Sequence, residues 1–281
     1  MLLVPADVLN PRRPDDHFAA EAAAARDAGV HVALVDHDAL TRADGAERAV
    51  ARVSTAGAAV YRGWMLRSEQ YAAFAGALAR RDVRLRTSSA QFRSAHELPG
   101  WYPDLAAVTP RSAWTIGDSR DGFDDVRRKL GPGPAVLRDY TKSMKHYWHE
   151  AAFIPDLADA AAAWKVAARF RELRDDDFVG GFVLRQFEEF VGAEVRTWWL
   201  DGVCRLVGAH PDTAADMPPG SIDLDPIAPL VAAVKLPFVT VDVARRSDGV
   251  WRVIELGDGQ VSDRPESMPA ATFLEAILDE R

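Results

Sequence analysis

A chain of 281 residues, 48% hydrophobic and 27% charged, has apolar material for one large domain or two ordinary ones, which excludes wholesale disorder. Its formal net charge of -8 argues against a duplex nucleic-acid binder, which needs a basic face, but not against a local basic pocket. Cys204 is the only cysteine, which rules out an intramolecular disulfide and a four-cysteine zinc site, and no apolar run reaches the roughly 18 residues of a membrane span.

The opening MLLVPADVL lacks a basic segment and a long apolar stretch, so Leu2–Val4 reads as a first strand and a cytoplasmic location is expected. Asp16–Ala28 is Ala-rich and suits a helix that Gly29 ends. His31–Val35 and Ala58–Tyr61 read as strands. Glu69–Arg81 places Tyr71, Phe74 and Leu78 on one helical face, and Val83–Arg86 is a fourth strand. Strands alternating with helices predict a small open α/β domain with a parallel sheet. His96–Pro110 is rich in Pro, Gly and aromatics and reads as an irregular linker, so the boundary is set near Thr109, dividing 1–110 from 111–281.

The pattern then changes. Ser112–Ile116 reads as a strand, Phe123–Leu130 as a helix and Ala135–Tyr140 as a strand after a Gly-Pro-Gly-Pro turn. Asp156–Arg174 reads as an amphipathic helix with Leu157, Ala161, Trp164, Ala168 and Phe170 inward. Val183–Phe190 is a strand. Glu194–Leu200 and Cys204–Ala209 form a hairpin over Asp201-Gly202, and Phe238–Ala244 and Val250–Leu256 another over Ser247-Asp248-Gly249. The second part is therefore α+β with antiparallel sheet.

Three clusters carry chemistry. The first, RDYTKSMKH, follows a strand end with Arg138, Lys142, Lys145 and two hydroxyls. Such groups suit a polyphosphate, and they equally suit a solvated basic loop. The second, RQFEEFVGAEVR, sets Gln186 and Glu188 beside aromatics before a turn at Gly192. It suits an adenine and ribose edge or an ordinary charged hairpin. The third joins Asp242 and Glu255 across the last hairpin, where apolar flanks place them in a core sheet. Two facing carboxylates there need a cation, and hard oxygen ligands suit magnesium. Tyr61-Arg62-Gly63-Trp64 follows a parallel strand, at the sheet edge where open α/β folds bind ligands. Arg62 there suits a substrate carboxylate, or is an exposed arginine beside a packed tryptophan.

The order LRDYTKSMK, EEFVGAEVRTWWLDG, VTVDVARRSDGVWRVIELGDG resembles the ATP-grasp superfamily over residues 112 to 265. YRGWML and SAHELPGWY further resemble the clade of that superfamily named for one arginine and two lysines, matched here by Arg138, Lys142 and Lys145. The resemblance implies an α/β open parallel-sheet domain followed by an α+β ATP-grasp domain, with ATP and Mg²⁺ as cofactors. Arg138 would touch the α-phosphate, and Lys142 and Lys145 the β- and γ-phosphates. Gln186, Glu188 and Phe190 would line the adenine, and Glu194 (with Glu189 as a rival) would accept the ribose hydroxyls. Arg196 would stabilise the transferring phosphoryl group or acyl phosphate, and Asp242 and Glu255 would hold magnesium. The family's usual metal-site Asn is Gly257 here, so Asp258 or Gln260 is expected to take its place. His146 and His149, beside the phosphate loop, are candidates for a base or for positioning. The implied activity is a carboxylate–amine ligase acting on small-molecule or peptide substrates, without nucleic acid or membrane partners. A phosphotransferase without an amine acceptor and a non-catalytic nucleotide-binding protein are the alternatives.

Overall fold

The chain is described in a computed structural model over residues 1–214 and 220–278. Two compact units divide it. The first holds Met1–Ala95, Ala193–Val243 and the chain from Glu255 onward; the second holds His96–Gly192 and Ala244–Ile254. The units are thus discontinuous, and a single break between 110 and 111 describes chain order rather than compactness. Among the described residues no helix is long and apolar enough to cross a membrane.

In chain order the first unit opens with β1 (Leu2–Pro5), α1 (Ala19–Asp27), β2 (Val32–Val35), α2 (His37–Leu40), α3 (Ala46–Ala49), β3 (Gly57–Tyr61), α4 (Ser68–Ala79), β4 (Val83–Leu85) and α5 (Ser89–His96). The four strands form a sheet in the order β2-β1-β3-β4, with all three pairings parallel. All four residues of β1 are buried, as expected for a parallel sheet covered on both faces. The strand's two-residue period sorts them. Leu3 joins Val35, Tyr61, Tyr71 and Phe74 on one side. Leu2 and Val4 join Phe18, Trp198, Phe238 and Phe273 on the other.

The second unit contains α6 (Leu98–Leu105), β5 (Ser112–Trp114), α7 (Arg120–Leu130), β6 (Ala135–Arg138), β7 (Phe153–Ile154), α8 (Ala160–Arg174) and β8 (Val183–Gln186). Its sheet runs β5-β8-β6-β7 and is antiparallel throughout. Phe123, Phe170, Phe182 and Leu184 lie in its core. The remaining elements are β9 (Phe190–Leu200), β10 (Val203–Ala209), α9 (Ala228–Val234), β11 (Phe238–Arg246), β12 (Trp251–Asp258) and α10 (Ala270–Leu278). The strands among them form a third sheet, β10-β9-β11-β12. Asp201 and Gly202, at φ +47° and +79°, make the tight turn between β9 and β10, as the Asp-Gly pair predicts.

Two elements depart from the sequence reading. The expected linker contains helix α6. Pro99 near its start costs nothing, Pro103 lies inside it, and Leu98, Trp101 and Leu105 bury one face at helical spacing. Packing outweighs the weak local propensity. Helix α8 starts later, and of the expected inward residues Leu157, Trp164 and Phe170 meet the core while Ala161 and Ala168 do not. Asp159 accepts from the Ala161 and Ala162 amides at 3.1 and 2.9 Å and so sets the start at Ala160. Ala163, Val166, Ala167 and Phe170 are buried, whereas Ala161 and Ala168 are exposed. Alanines on both faces leave the phase undetermined by sequence.

Arg62 also requires correction. Its side chain is 1% exposed. Nε and Nη2 donate to the Glu21 carboxylate at 2.8 and 3.1 Å. Nη1 donates to the carbonyls of Gly259, Gln260 and Ser262 at 2.6, 3.2 and 2.8 Å. The guanidinium also lies over the rings of Phe273 and Trp198. It is a strut inside the first unit, and every nitrogen is committed. Gripping a substrate carboxylate would mean stripping Glu21 of its two-bond partner in a dry interior and leaving it only Arg264 at 3.6 Å. Arg62→Met is therefore expected to lower the unfolding free energy by about 3–5 kcal/mol, the cost of an orphaned buried charge. Adding Glu21→Gln should recover part of it. Urea denaturation checks both, and an unchanged midpoint for the single variant would remove the strut.

Candidate nucleotide and metal site

The second unit presents the basic loop. β6 ends at Arg138, which is 5% exposed and donates to the carbonyls of Thr141 at 2.6 Å and Asp139 at 3.3 Å. The loop closes on itself through a backbone bridge between Arg138 and Ser143. Asp139, which the sequence reading passed over, organises it. Its Oδ1 accepts the Thr141 amide, the Thr141 hydroxyl and the Lys142 amide at 2.7, 3.0 and 2.7 Å. Its Oδ2 accepts Arg174 Nε at 2.9 Å and the Val179 amide at 3.3 Å. A fully buried carboxylate with five donors is a rigid template for the loop that carries Lys142. Lys142 is half-buried and, among the described residues, forms no ion pair; Lys145 is exposed on a short 3-10 turn. His146 and His149 are exposed on the same stretch.

Gln186 ends β8 and is exposed. Glu188 is locked to Arg252, which donates through Nε and Nη2 at 2.9 and 2.8 Å, with Arg246 at 3.6 Å. That carboxylate is spent on the framework, so its side chain is not free to meet a base. The aromatic surface nearby comes from residues not singled out by sequence. Trp148 stacks on Phe153 at 5.4 Å, and Phe187, 37% exposed, meets Phe153 edge-on at 5.4 Å. Phe190, at the start of β9, is half-buried.

The first unit holds the acidic group. The two-residue period of β9 puts Glu194 and Arg196 on one face. Arg196 grips Asp242 of β11 with Nε and Nη2, both at 2.8 Å, and reaches the Asp263 carbonyl at 3.4 Å. His210, just past β10, lies 3.0 Å from Arg196 Nη2 and 3.5 Å from Asp242 Oδ2. Glu194, His210 and Asp242 offer ligand atoms within 4.8 Å of one another. Burial pushes the Asp242 carboxyl up, but the Arg196 charge and hydrogen bonds, with His210, outweigh it and hold it down at about 2. Burial opposes the Arg196 charge too, yet Asp242, Glu255 and Glu194 together raise its pKa. One guanidinium thus faces three carboxylates. Carboxylate oxygens brought this close together suit a hard divalent cation. Glu194, expected at a ribose, instead joins this acidic group.

The substitutes expected for the missing Asn do not stand there. Asp258 and Gln260 are both fully buried. Asp258 Oδ1 accepts the Gln260 amide and Nε2 at 2.9 and 3.1 Å, Gln260 Oε1 accepts the Tyr61 amide at 3.0 Å, and Gln260 Nε2 donates to the Tyr71 hydroxyl at 2.7 Å. The pair ties the end of β12 to β3 and α4. The site of the absent side chain is bordered instead by hydroxyls. A Cβ at Gly257 would lie 3.3 Å from Thr240 Oγ1 and 3.6 Å from Ser262 Oγ, and these two oxygens are 2.8 Å apart.

Burial raises the Asp258 carboxyl to about 6, against hydrogen bonds from Gln260. The buried Thr87 hydroxyl also lowers the Asp258 carboxyl, though less than burial raises it. A folded pKa above the unfolded value means that stability is full in acid and falls as pH rises, by about 1.4 kcal/mol per pKa unit across roughly pH 4 to 6. Asp258→Asn removes this loss and offers an N–H to the Thr87 hydroxyl. The variant should therefore melt above the parent at pH 7.5 and lose that advantage at pH 4. An equal shift at both values would contradict the buried charge.

The family described as ATP-grasp domain, family 3 of the clade named for one arginine and two lysines, matches residues 129–277. No curated protein matches the chain. Among solved structures, the chain is similar to a RimK domain protein ATP-grasp from Sphaerobacter thermophilus, at 16% identity and a TM-score of 0.63, covering 99% of this chain and 100% of that one. It is similar to D-cycloserine synthetase DcsG at 18% identity and a TM-score of 0.64, covering 98% of each chain. It is also similar to the ATP-grasp ligase PsnB, solved with minimal precursor, Mg and ADP, at 13% identity and a TM-score of 0.57, covering 99% of this chain and 97% of that one. At these identities the likeness is one of fold, and it includes the parallel N-terminal sheet followed by antiparallel sheets.

Proposed function

We propose that this chain, which belongs to family 3 of the arginine-and-two-lysine clade of ATP-grasp domains, is an ATP- and magnesium-dependent ligase that activates a carboxylate as an acyl phosphate for attack by an amine. The observation that carries this reading is the set of three carboxylates, Glu194, Asp242 and Glu255, around Arg196. Clustered carboxylate oxygens are the hard ligands that suit a divalent cation, and a metal-bound triphosphate brings one. The fold similarity to PsnB, solved with Mg and ADP, and to D-cycloserine synthetase supports it at the level of the scaffold.

Each residue then has a task. Asp242 and Glu255 hold magnesium, with Glu194 beside them, and the Thr240 and Ser262 hydroxyls stand where relatives place an amide. Magnesium, when bound, neutralises charge on the phosphate oxygens. Lys142 and Lys145 hold the β- and γ-phosphates, and Asp139 keeps the loop backbone in place while they do so. Arg138 clamps the same loop and adds positive charge for the α-phosphate. Phe187 and Phe190, with Gln186, receive the adenine. Arg196, which now donates to Asp242 through Nε and Nη2, would stabilise the transferring phosphoryl group with the same two donors. A carboxylate is a poor acyl donor. The phosphoryl group taken from ATP turns one of its oxygens into a leaving group, and the amine displaces phosphate.

Mg–ATP binds only the folded chain and should raise its melting temperature, by linkage about 2.7 kcal/mol at a hundredfold excess over Kd. Glu255→Ala should abolish that rise, and Lys142→Ala should reduce it at equal nucleotide. If Glu255→Ala gains as much from Mg–ATP as the parent does, the metal assignment fails. Amino acids and peptides screened for ADP release, with mass detection of the product, test the ligase reading itself. ADP release with no new amide would replace it by phosphotransfer.

A further inference from the structure

A cavity of about 480 Å³ opens in the first unit at the carboxyl ends of β1, β2 and β3, the edge at which open α/β sheets bind ligands. Arg62 does not reach it, being committed elsewhere. Its wall carries both signs of charge, Asp7, Asp15, Asp36 and Asp38 with Arg42, Arg48 and Arg52, and it also includes His37 and Trp64. It is large enough for a small molecule with a side chain.

His37 is the informative group. Tyr61 Oη has one proton, which it directs to the Trp64 carbonyl at 3.3 Å. It must therefore accept from His37 Nδ1, also at 3.3 Å. That tautomer leaves Nε2 as a bare acceptor. Burial lowers the ring's pKa, while Asp38, Asp15 and Asp36 raise it. The ring is thus neutral and faces three carboxylates. The indole N–H of Trp64 donates to Asp15 Oδ2 at 3.2 Å and holds that carboxylate at the wall. Its oxygens each keep a second acceptor direction. Asp36 is occupied, capping α2 at the Ala39 amide at 3.0 Å and facing Arg48 at 3.6 Å. Asp38 forms no ion pair among the described residues, nor does Arg42.

We propose that this cavity is the site of a free amino acid, its ammonium held by Asp15, Asp38 and His37 Nε2 and its carboxylate by Arg42 and Arg48. An ammonium has three N–H donors and meets three acceptors. A carboxylate meets two guanidinium forks, the partner that Arg binds best. Asp15 and Asp38 offer acceptors and Arg42 and Arg48 offer donors in one wall, which a ligand carrying both charges meets together. The cavity also connects to the acidic group. Trp64 packs on His17 at 4.6 Å between ring centres, His17 Nε2 meets Asp263 Oδ1 at 2.9 Å, and the Asp263 carbonyl accepts from Arg196. A row of contacts thus runs from the Trp64 wall of the cavity to Arg196. The assignment deepens the ligase reading by naming a substrate class and rests on it for the reason an amino acid is bound.

Calorimetry on the full chain decides it. Free amino acids, the matching amines without the carboxylate and the matching acids without the amine are titrated, each with and without Mg²⁺ and a non-hydrolysable ATP analogue. At least one amino acid should bind ten times more tightly than both of its truncated forms. Asp38→Asn and Arg48→Ala, both at exposed side chains, should each weaken it at least tenfold while leaving the Mg–ATP melting shift unchanged. No amino-acid binding in either condition, equal binding of a truncated form, or indifference to both variants would overturn the proposal. A parent chain that gains a melting shift from Mg–ATP yet binds no amino acid loses this site and keeps the ligase reading. Amino-acid binding without any nucleotide shift does the reverse.

Discussion

Three carboxylates act on one guanidinium, and the acidic group of the first unit is organised around it. Asp242 is buried, where an ionised carboxyl is costly unless paired, and Arg196 supplies the pairing with two hydrogen bonds. Glu194 and Glu255 raise the pKa of the same guanidinium further. Arg196 thus sits at the centre of the group and holds Asp242 in its ionised form.

The same device recurs elsewhere with a different outcome. Asp139 is as buried as Asp242 but is fully satisfied by donors of its own loop and by Arg174, so it shapes backbone and attracts nothing more. Glu21 is closed off by Arg62 in the same way. Asp258 is the exception among the buried acids of the described residues, held by neutral donors and in no ion pair, and its pKa rises accordingly.

The fold was readable because hydrophobic period and turn chemistry are local. The alternation of strand and helix in the first ninety residues and the Asp-Gly turn between β9 and β10 follow from neighbours along the chain. Helix α6 was not readable, because its prolines argue against a helix and only the burial of Leu98, Trp101 and Leu105 outweighs them. The phase of α8 was hidden by alanines on every face.

The sequence by itself determined the order of the basic loop, the strand bearing Arg196 and the acidic hairpin, and with it the family. These depend on residue types at set spacings, which survive without knowledge of any contact. Tertiary structure alone decided which charges are spent. Arg62, Glu188 and Asp258 look in the sequence like any available polar residue, and each is consumed by a partner more than 40 residues away or by a buried network. Asp139 and His37 look ordinary there, yet one becomes a template and the other a lone acceptor in a charged cavity. Availability is a property of partners in space, and chain order carries no record of it.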